Sequence, residues 1–321
     1  MKKLLVVLLA LVFVLSACSP GGESGDAKKL KIGIVQFVEH PALDDARIGF
    51  EEKLKELGID AEIDYKNAQL DIPTTKTIAE KFVSDKVDLI YAIATPSAQA
   101  AAAATSDIPV LFSAVTNAEE NKLVKSNEKP GGNVTGTIDA ADLNAQFELF
   151  KKIDSNIETV GMIYTADEDN SIVQVKQVQE IAPKLGLKTV AKTINQLSDL
   201  PQIAQSMMLE ADAFYILTDN KIASSIAILS DILKENKKVS VGAEVSHIKG
   251  GMLASKSLSY KELGKQTAEM AKKILVDKVK PEDIPVESAK NIDFVINPET
   301  LEALGLDKNL EVFKDAVEVE K

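Results

Sequence analysis

The chain has few of the residues on which catalytic and metal-binding sites depend. Its 321 residues include one cysteine, two histidines and no tryptophan. A single cysteine has no disulfide partner within the chain, and His40 and His247 lack the spacing of an H-E-x-x-H metal motif. No G-x-S-x-G nucleophile motif occurs. We therefore expect neither a metal site nor a cofactor, and the lack of tryptophan counts against a sugar site, which favours indole rings.

Basic residues are also in deficit. The 37 lysines and arginines are outnumbered by 49 acidic residues, and the net charge is −12. No basic cluster is interleaved with aromatic residues, so we expect no nucleic-acid partner. Gly131 and Gly136 have the spacing of a phosphate-binding loop, but Thr137-Ile138 follows where lysine and serine or threonine are required. The acidic stretch 167–169 lacks the alternating ligands of a calcium loop, and we interpret it as a helix start.

The N-terminus carries an export signal. Lys2-Lys3 precedes an apolar run over residues 4–15, a pattern typical of a secretory signal peptide and too short for an ordinary membrane span. The residues Leu15-Ser16-Ala17-Cys18 resemble the lipobox of bacterial lipoproteins. This resemblance implies that residues 1–17 are a signal peptide and that Cys18 is lipidated, with residues 18–29 as an anchor and flexible tether outside the cytoplasm. The alternative is an uncut signal with an incidental cysteine.

Strand and helix signals alternate from Leu30 onward. The order indicates an α/β fold of two Rossmann-like lobes with parallel sheets, because each strand is followed by a helical crossover. Predicted strands cover residues 30–38, 59–65, 87–94, 108–112 and 133–138 in a first series, and 159–164, 188–194, 213–217 and 239–243 in a second. Predicted helices cover residues 41–57, 72–83, 96–104, 143–153, 170–185, 200–209 and 221–235.

The last part of the chain departs from a simple tandem arrangement. Strand-like residues 250–255 and 292–297 flank a helix over 260–276, and Asn297-Pro298 begins another helix. We expect the chain to cross between the lobes near residues 139, 254 and 286, which would form a three-segment hinge. The predicted N-terminal lobe comprises residues 30–139 and 255–284, and the C-terminal lobe comprises residues 140–254 and 285–321.

Small polar residues follow the predicted strands. Ligands in open parallel sheets bind beyond the carboxyl ends of the strands, so these positions form the predicted binding site. At one of them Thr95 is predicted to cap an alanine-rich helix that has Pro96 at its first position, which would offer an anion site. The candidate ligand-binding residues are His40, Ala42, Thr95, Ser97, Ser113, Ala114 and Thr116 in the first lobe, and Tyr164, Asn170, Ser171, Thr218, Asp219, Asn220 and Glu244 in the second.

The two halves of this site differ in charge. Hydroxyls and amides of the first lobe suit a carboxylate, whereas Asp219 or Glu244 of the second lobe suits an ammonium group, so the pattern favours a zwitterion. Each acid also has a simpler interpretation. Asp219 fits the N-cap of the following helix, and Glu244 fits a solvated loop charge. His40, which precedes Pro41, fits a turn.

Several separate motifs carry a family resemblance. They are Glu39-His40-Pro41-Ala42-Leu43-Asp44, Lys81-Phe82-Val83, Ala92-Ile93-Ala94-Thr95-Pro96-Ser97-Ala98-Gln99, Pro109-Val110-Leu111-Phe112-Ser113-Ala114-Val115-Thr116, Gly131-Gly132-Asn133-Val134-Thr135-Gly136 and Thr218-Asp219-Asn220. In these motifs the chain resembles the ABC-transporter substrate-binding lipoproteins with a type I periplasmic-binding fold, some of which bind tryptophan or phenylalanine. Asn117-Ala118 departs from the family pattern after the Ala-Val-Thr motif.

The resemblance implies a binding protein without enzyme activity. It would close its lobes on L-tryptophan or L-phenylalanine and deliver the ligand, as a monomer, to an ABC permease. An aromatic ligand also needs an apolar slot, for which Phe37, Phe112, Ala114 and Tyr164 are candidates. Two alternatives stay open from the sequence: an extracytoplasmic enzyme that uses His40 and Glu244 as acid and base, and a ligand-binding sensor.

Overall fold

The computed structural model describes residues 29–140, 142–290 and 292–319. The predicted signal peptide, Cys18 and all but the last residue of the predicted tether lie outside these ranges. Within them, no helix is both long and apolar enough to cross a membrane.

The first sheet contains six parallel strands. They are β1 (Leu30–Gln36), β2 (Ala61–Asn67), β3 (Leu89–Ile93), β4 (Val110–Val115), β5 (Val134–Ile138) and the short β11 (Glu287–Ser288), in the order β11-β5-β4-β3-β1-β2. Strands β3 and β4 are buried along their whole length, as expected for a parallel sheet covered on both faces. Helices α1 (Pro41–Glu56), α2 (Ile72–Ser84), α3 (Thr95–Ala104) and α10 (Tyr260–Leu275) pack with this sheet.

The second sheet contains seven strands and is parallel except for one pair. The strands are β6 (Thr159–Thr165), β7 (Lys188–Ile194), β8 (Ala213–Ile216), β9 (Val239–Gly242), β10 (Ala254–Ser257), β12 (Asp293–Ile296) and β13 (Val317–Glu318), in the order β13-β12-β10-β9-β8-β6-β7. β10 and β12 pair antiparallel. The helices of this part are α4 (Leu143–Ile153), α5 (Asp169–Ile181), α6 (Leu200–Met207), α7 (Asn220–Ser224), α8 (Ile226–Glu235), α9 (Val245–Lys249) and α11 (Pro298–Leu304). The predicted α/β class with two sheets of mainly parallel strands is confirmed.

The chain passes between the sheets three times. It leaves the first sheet after β5, returns to it from β10 through α10 and β11, and leaves again for β12. Two of these passages lie slightly later than the sequence predicted. Residues 255–257 still belong to the second sheet because β10 pairs with β9 and β12, and residues 287–288 still pair with β5 in the first sheet.

Helices α1 and α10 approach each other closely through glycine. A Cβ atom on Gly264 would lie 1.9 Å from the carbonyl oxygen of Ala46, and one on Gly49 would lie 2.0 Å from that of Lys261. No side chain fits at either position, so backbone packs on backbone. Tyr260, the first residue of α10, lines a gap together with Pro41 and Ala42 at the start of α1.

Four local predictions differ from the structure. The predicted helix 221–235 is divided into α7 and α8 at Ser225, whose φ and ψ are −127° and 23°. The predicted helix 170–185 ends at Ile181 and continues as a 3-10 turn to Leu185. The predicted strand 250–255 begins only at Ala254, because Gly250 and Gly251 complete the turn after α9. Thr95 is the first helical residue of α3 rather than its cap, which is Ala94.

Candidate ligand-binding site

A small polar cavity lies between the lobes at the carboxyl ends of the strands. Eight of the predicted site residues line it, namely His40, Ala114, Thr116, Asn170, Thr218, Asp219, Asn220 and Glu244, together with Leu43, Asp139, Ala223 and Tyr260. Three carboxylates belong to this lining, and none of the described residues in it is lysine or arginine. The cavity therefore suits a cationic group better than an anionic one. The other predicted residues, Ala42, Thr95, Ser97, Ser113, Tyr164 and Ser171, lie outside this lining.

His40 stands at the N-cap position of α1 but does not cap it with its side chain. The residue is buried, and neither ring nitrogen has a partner in hydrogen-bond geometry among the described residues. Burial lowers the pKa of His40, and the nearby Glu244 opposes this shift only in part. The imidazole is therefore neutral near pH 7, with one donor and one acceptor available to a ligand. Ala42, two residues further along the chain, is buried beside a separate gap between α1 and α9.

The N-terminus of α3 presents two buried hydroxyls. Thr95 and Ser97 are almost fully buried, and neither hydroxyl oxygen is hydrogen-bonded within the described chain. The preceding Ala94 has a φ of 81°, a left-handed conformation that is strained for alanine and turns the chain sharply from β3 into the helix. Two unpaired hydroxyls at the positive end of a helix dipole can donate hydrogen bonds to a carboxylate.

The end of β4 is divided between structural and cleft-facing residues. The hydroxyl of Ser113 lies 3.1 Å from that of Thr137, which in turn lies 2.8 Å from that of Thr267, so Ser113 is engaged inside the first lobe. Ala114 lines the cavity at an irregularity of the strand, with a φ of 57°. Thr116 reaches across the cleft, where its Oγ1 lies 2.9 Å from Oγ1 of Thr218.

Asp219 is fully engaged by its own lobe. Its carboxylate accepts hydrogen bonds from the Thr165 N–H (2.6 Å) and hydroxyl (2.8 Å), from the Ser171 hydroxyl (2.8 Å) and from the Ile222 N–H (3.0 Å). The last of these is the N-cap bond that the simpler interpretation of Asp219 required. The Ser171 hydroxyl is thus hydrogen-bonded to this carboxylate within the second lobe. Asp219 thus joins the end of β6, the start of α5 and the start of α7.

Glu168 stands at the start of α5, as the interpretation of stretch 167–169 as a helix start predicted, and it is buried. Its carboxylate accepts hydrogen bonds from the N–H groups of Asn220 and Lys221, both at 3.0 Å, and from the Asn170 side chain at 3.1 Å. Burial and the nearby Asp219 raise the pKa of Glu168, and these donors oppose the shift. Asn170 also donates to the Thr218 carbonyl at 2.7 Å, while its own Oδ1 stays unpaired within the described chain.

The flanking acids of that stretch lie at the surface. Asp167 pairs with Lys221 at 2.7 Å, and Asp169 accepts from Gln99 of the first lobe at 2.9 Å. In the ranges that the structure describes, no three His, Cys, Asp or Glu side chains are arranged so that they could hold a metal ion.

Glu244 lies between the two histidines. Its Oε1 accepts from the Ser246 hydroxyl at 2.7 Å and lies 3.0 Å from Nε2 of His247, although that ring nitrogen is not aligned for a hydrogen bond. Burial alone would raise the pKa of Glu244. The combined effect of His247, His40 and the Ser246 hydroxyl is larger and lowers the pKa to about 2. Glu244 is therefore a buried, ionised group and not a solvated loop charge.

The sequence analysis missed Asp139 and Tyr260. Asp139 directly follows β5, so the strand-end rule that gave the other candidates would have found it. It is buried, its Oδ2 accepts from the Tyr260 hydroxyl at 2.7 Å, and its Oδ1 has no hydrogen bond to any described residue. Burial raises the pKa of Asp139 to about 6; the Tyr260 hydrogen bond lowers it and Glu244 raises it further. No local pattern marks Tyr260, which looks like the ordinary start of a helix.

The predicted aromatic slot is not formed by the predicted aromatic residues. Phe37 and Phe112 are fully buried in the first-lobe core. Tyr164 is half-buried against the second-lobe core and lies outside the cavity lining. The apolar part of the lining comes instead from Leu43, Ala114 and Ala223.

Comparison with known proteins assigns the family. Residues 31–320 match the model of the ABC transporter substrate binding protein family. The chain belongs to this family. A relative from Clostridioides difficile (strain R20291), named a tyrosine-binding protein, is 42% identical over 323 residues that cover 96% of this chain and 93% of the relative. The expected family resemblance is confirmed. Because the family consists of solute-binding proteins, the expectation of a binding protein rather than an enzyme is confirmed as well.

Comparison with solved structures gives the fold. A conserved domain protein from Vibrio cholerae superposes with a TM-score of 0.88 (35% identity, 91% of this chain and 100% of that chain). A Streptococcus pneumonia ABC domain in complex with L-Trp gives 0.85 (34% identity, 90% and 100%). A ligand-free, open substrate-binding protein from Clostridium difficile gives only 0.71 despite 43% identity (91% and 99%). The fold is thus the type I periplasmic-binding fold, and the structure superposes better on the L-Trp complex than on the ligand-free, open relative.

Proposed function

We propose that this substrate-binding protein captures an aromatic L-amino acid between its lobes for an ABC importer. The observation that carries the proposal is the set of buried polar atoms at facing strand ends that have no hydrogen-bond partner within the described chain, in His40, Thr95, Ser97, Asp139 and Asn170. Unpaired buried polar groups are costly, so sites that contain several of them are built for a polar partner. An amino acid would supply both the donors and the acceptors.

The carboxylate of the ligand belongs at the start of α3. The hydroxyls of Thr95 and Ser97 and the positive end of the helix dipole favour an anion there. The ammonium group belongs in the cavity, whose lining contains three acids and, among its described residues, no lysine or arginine. In this proposal Ser113 does not bind the carboxylate, because its hydroxyl contacts the Thr137 hydroxyl.

The ligand class follows from two relatives and from the lining. The relative at 42% identity is named a tyrosine-binding protein, and another was solved with L-Trp. We therefore extend the expected ligands, tryptophan and phenylalanine, to include tyrosine and rank tyrosine first. Leu43, Ala114 and Ala223 would contact the ring, because they form the apolar part of the lining.

The two lobes would close over this ligand. In the proposed division, the N-terminal lobe holds residues 30–139 and 258–288, and the C-terminal lobe holds residues 140–257 and 289–321. The closed arrangement is supported by contacts across the cleft: Thr116 with Thr218 at 2.9 Å and Gln99 with Asp169 at 2.9 Å. Closure that depends on such few polar contacts is reversible, as delivery requires.

Substrate-binding proteins of ABC transporters work outside the cytoplasm, and we propose that this one is a monomeric lipoprotein. Cleavage before Cys18 and acylation of its thiol would hold it at the membrane beside its permease. Labelling of the expressed protein with a radioactive or clickable fatty acid tests this point. Label that persists in a Cys18→Ser variant would refute the anchor.

A ligand screen tests the proposed function. The protein is unfolded in denaturant and refolded to remove any carried-over ligand, and its thermal unfolding is then followed with each of the twenty L-amino acids, several sugars and several nucleosides. A ligand at 100 times its dissociation constant adds about 2.7 kcal/mol and raises the unfolding midpoint. We expect stabilisation by tyrosine, tryptophan or phenylalanine. Stabilisation by a sugar or nucleoside alone would reject the amino-acid proposal.

A further inference from the structure

The three carboxylates in the cavity lining differ in how much of their bonding capacity is free. Asp219 accepts four hydrogen bonds from its own lobe. Glu244 contacts Ser246 and lies between two histidines. Asp139 is buried, with 5% of its surface exposed. Even so, one of its oxygens, Oδ1, has no hydrogen bond to any described residue.

The other oxygen of Asp139 is tied to the hinge. Asp139 directly follows β5 and opens the first passage between the lobes, while Tyr260 begins α10 directly after the second passage. The 2.7 Å hydrogen bond from the Tyr260 hydroxyl to Oδ2 therefore joins two of the three hinge segments. Asp139 therefore lines the cavity, has Oδ1 without a hydrogen bond to any described residue, and is bonded to the hinge through Oδ2.

We propose that Asp139 binds the ammonium group of the ligand through Oδ1, and that its hydrogen bond to Tyr260 couples ligand binding to the hinge. This assignment rests on the proposed function and specifies it: the protein selects α-amino acids over the corresponding acids that lack the ammonium group. It replaces Asp219 and Glu244, the two acids that the sequence offered for this role.

The surrounding charges support an ammonium partner. The groups that face Asp139 are the Tyr260 hydroxyl, the Thr116 hydroxyl and the ionised Glu244, and the cavity also contains neutral His40. Because His40 is neutral and no described residue of the lining is lysine or arginine, an ionised Asp139 lacks a counter-charge until a cation arrives. A ligand ammonium at Oδ1 would supply that charge and stabilise the ionised form, so binding below about pH 6 would release a proton.

The test compares an amino acid with the same molecule lacking its ammonium group. Dissociation constants of L-tyrosine and 3-(4-hydroxyphenyl)propanoate are measured by calorimetry at pH 7.5 for the wild type and for Asp139→Asn, or with the corresponding pair if the wild type binds tryptophan or phenylalanine instead. We expect Asp139→Asn to weaken L-tyrosine binding by about 30-fold or more, because the buried ammonium loses its counter-charge. Binding of the propanoate should change by less than about threefold.

The control is Asp142→Asn, the same substitution three residues away. Asp142 caps α4 at the surface through the Ala145 N–H, a role that asparagine also fills, so both ligands should bind as to the wild type. If Asp139→Asn keeps the wild-type preference for L-tyrosine over the propanoate, the assignment is wrong while the proposed function stands. If the wild type binds no aromatic amino acid, the proposed function fails and the assignment fails with it.

Tyr260→Phe tests the link to the hinge. Removing the hydroxyl takes away a hydrogen bond that lowers the pKa of Asp139. The affinity for L-tyrosine should fall with decreasing pH near pH 6 in the wild type and at a higher pH in the variant, with binding at pH 8 reduced by less than in Asp139→Asn. An unchanged pH profile would refute the coupling. This variant removes one oxygen atom only, so it stays informative even if Asp139→Asn does not fold.

Discussion

Residue by residue, the acids of the cleft have separate tasks. Asp219 organises the second lobe, Glu244 holds a charge between His40 and His247, and Asp139 has an oxygen available for a ligand. The sequence identified the strand ends at which these residues lie. It did not distinguish their tasks, because local spacing does not reveal that Thr165, Ser171 and Ile222 all donate to one carboxylate.

We predict that Asp219→Asn lowers the free energy of unfolding by about 2–3 kcal/mol, measured by urea denaturation of the ligand-free protein. Asparagine replaces an acceptor oxygen with an amide donor, which leaves donors of Thr165 or Ser171 unpaired. The matched control is Asp231→Asn, an exposed residue paired with Lys234 at the surface, which should change stability by less than about 0.5 kcal/mol. Wild-type stability combined with lost ligand binding would instead make Asp219 a ligand contact.

Asp139 and Glu244 give opposite pH dependences to the stability of the ligand-free protein. The pKa of Asp139 rises on folding from 3.8 to about 6, so its contribution is present below pH 4 and is lost as the pH rises through 6. The pKa of Glu244 falls from 4.5 to about 2, so its contribution is present above pH 4.5 and is lost as the pH falls towards 2.

We therefore predict that, as the pH rises from 4 to 6, the free energy of unfolding of the wild type falls relative to that of Asp139→Asn, by up to about 1.4 kcal/mol per pH unit. Urea denaturation of both proteins across this range measures the difference. A difference that stays constant with pH would contradict the buried, ligand-free state of Asp139.

At the scale of the elements, the sequence predicted most helices and strands within a few residues. Proline at the start of α1 and glycine after the 3-10 turn at Leu185 are strong local signals, and both mark true boundaries. The break at Ser225 carries no such signal. It follows from packing, because α7 is fixed by Asp219 and Glu168 while α8 packs on the sheet beyond it.

The contact between α1 and α10 also depends on tertiary structure. We predict that Gly264→Ala destabilises the protein by about 1–3 kcal/mol or more, because the new methyl group overlaps the Ala46 carbonyl oxygen and forces the helices apart. Gly132→Ala is the control, since a Cβ there meets no atom within 4 Å. Thermal unfolding of both variants measures the effect. Equal stability of the two variants would contradict the close helix contact.

For the whole molecule, the sequence predicted two lobes and three passages between them, but not their relative position. That position depends on contacts between distant residues, such as Gln99 with Asp169 and Thr116 with Thr218, which no periodicity encodes. The structure superposes better on the L-Trp complex than on the open, ligand-free relative, although the latter is more similar in sequence.

This comparison leads to a prediction about closure. We expect the ligand-free protein to be more open in solution than the structure described above, and an aromatic amino acid to decrease its radius of gyration. Small-angle X-ray scattering with and without L-tyrosine measures the change, and glycine, which lacks the ring, is the control ligand. Identical scattering curves with and without bound L-tyrosine would contradict closure of the cleft on the ligand.

The most direct test of the central claim is titration of L-tyrosine, L-tryptophan and L-phenylalanine into refolded protein by calorimetry, followed by recovery of the ligand. The account predicts saturable binding of at least one of them at one site per chain, with the amino acid recovered unchanged. Absence of binding by all three, or recovery of a chemically altered ligand, would contradict it.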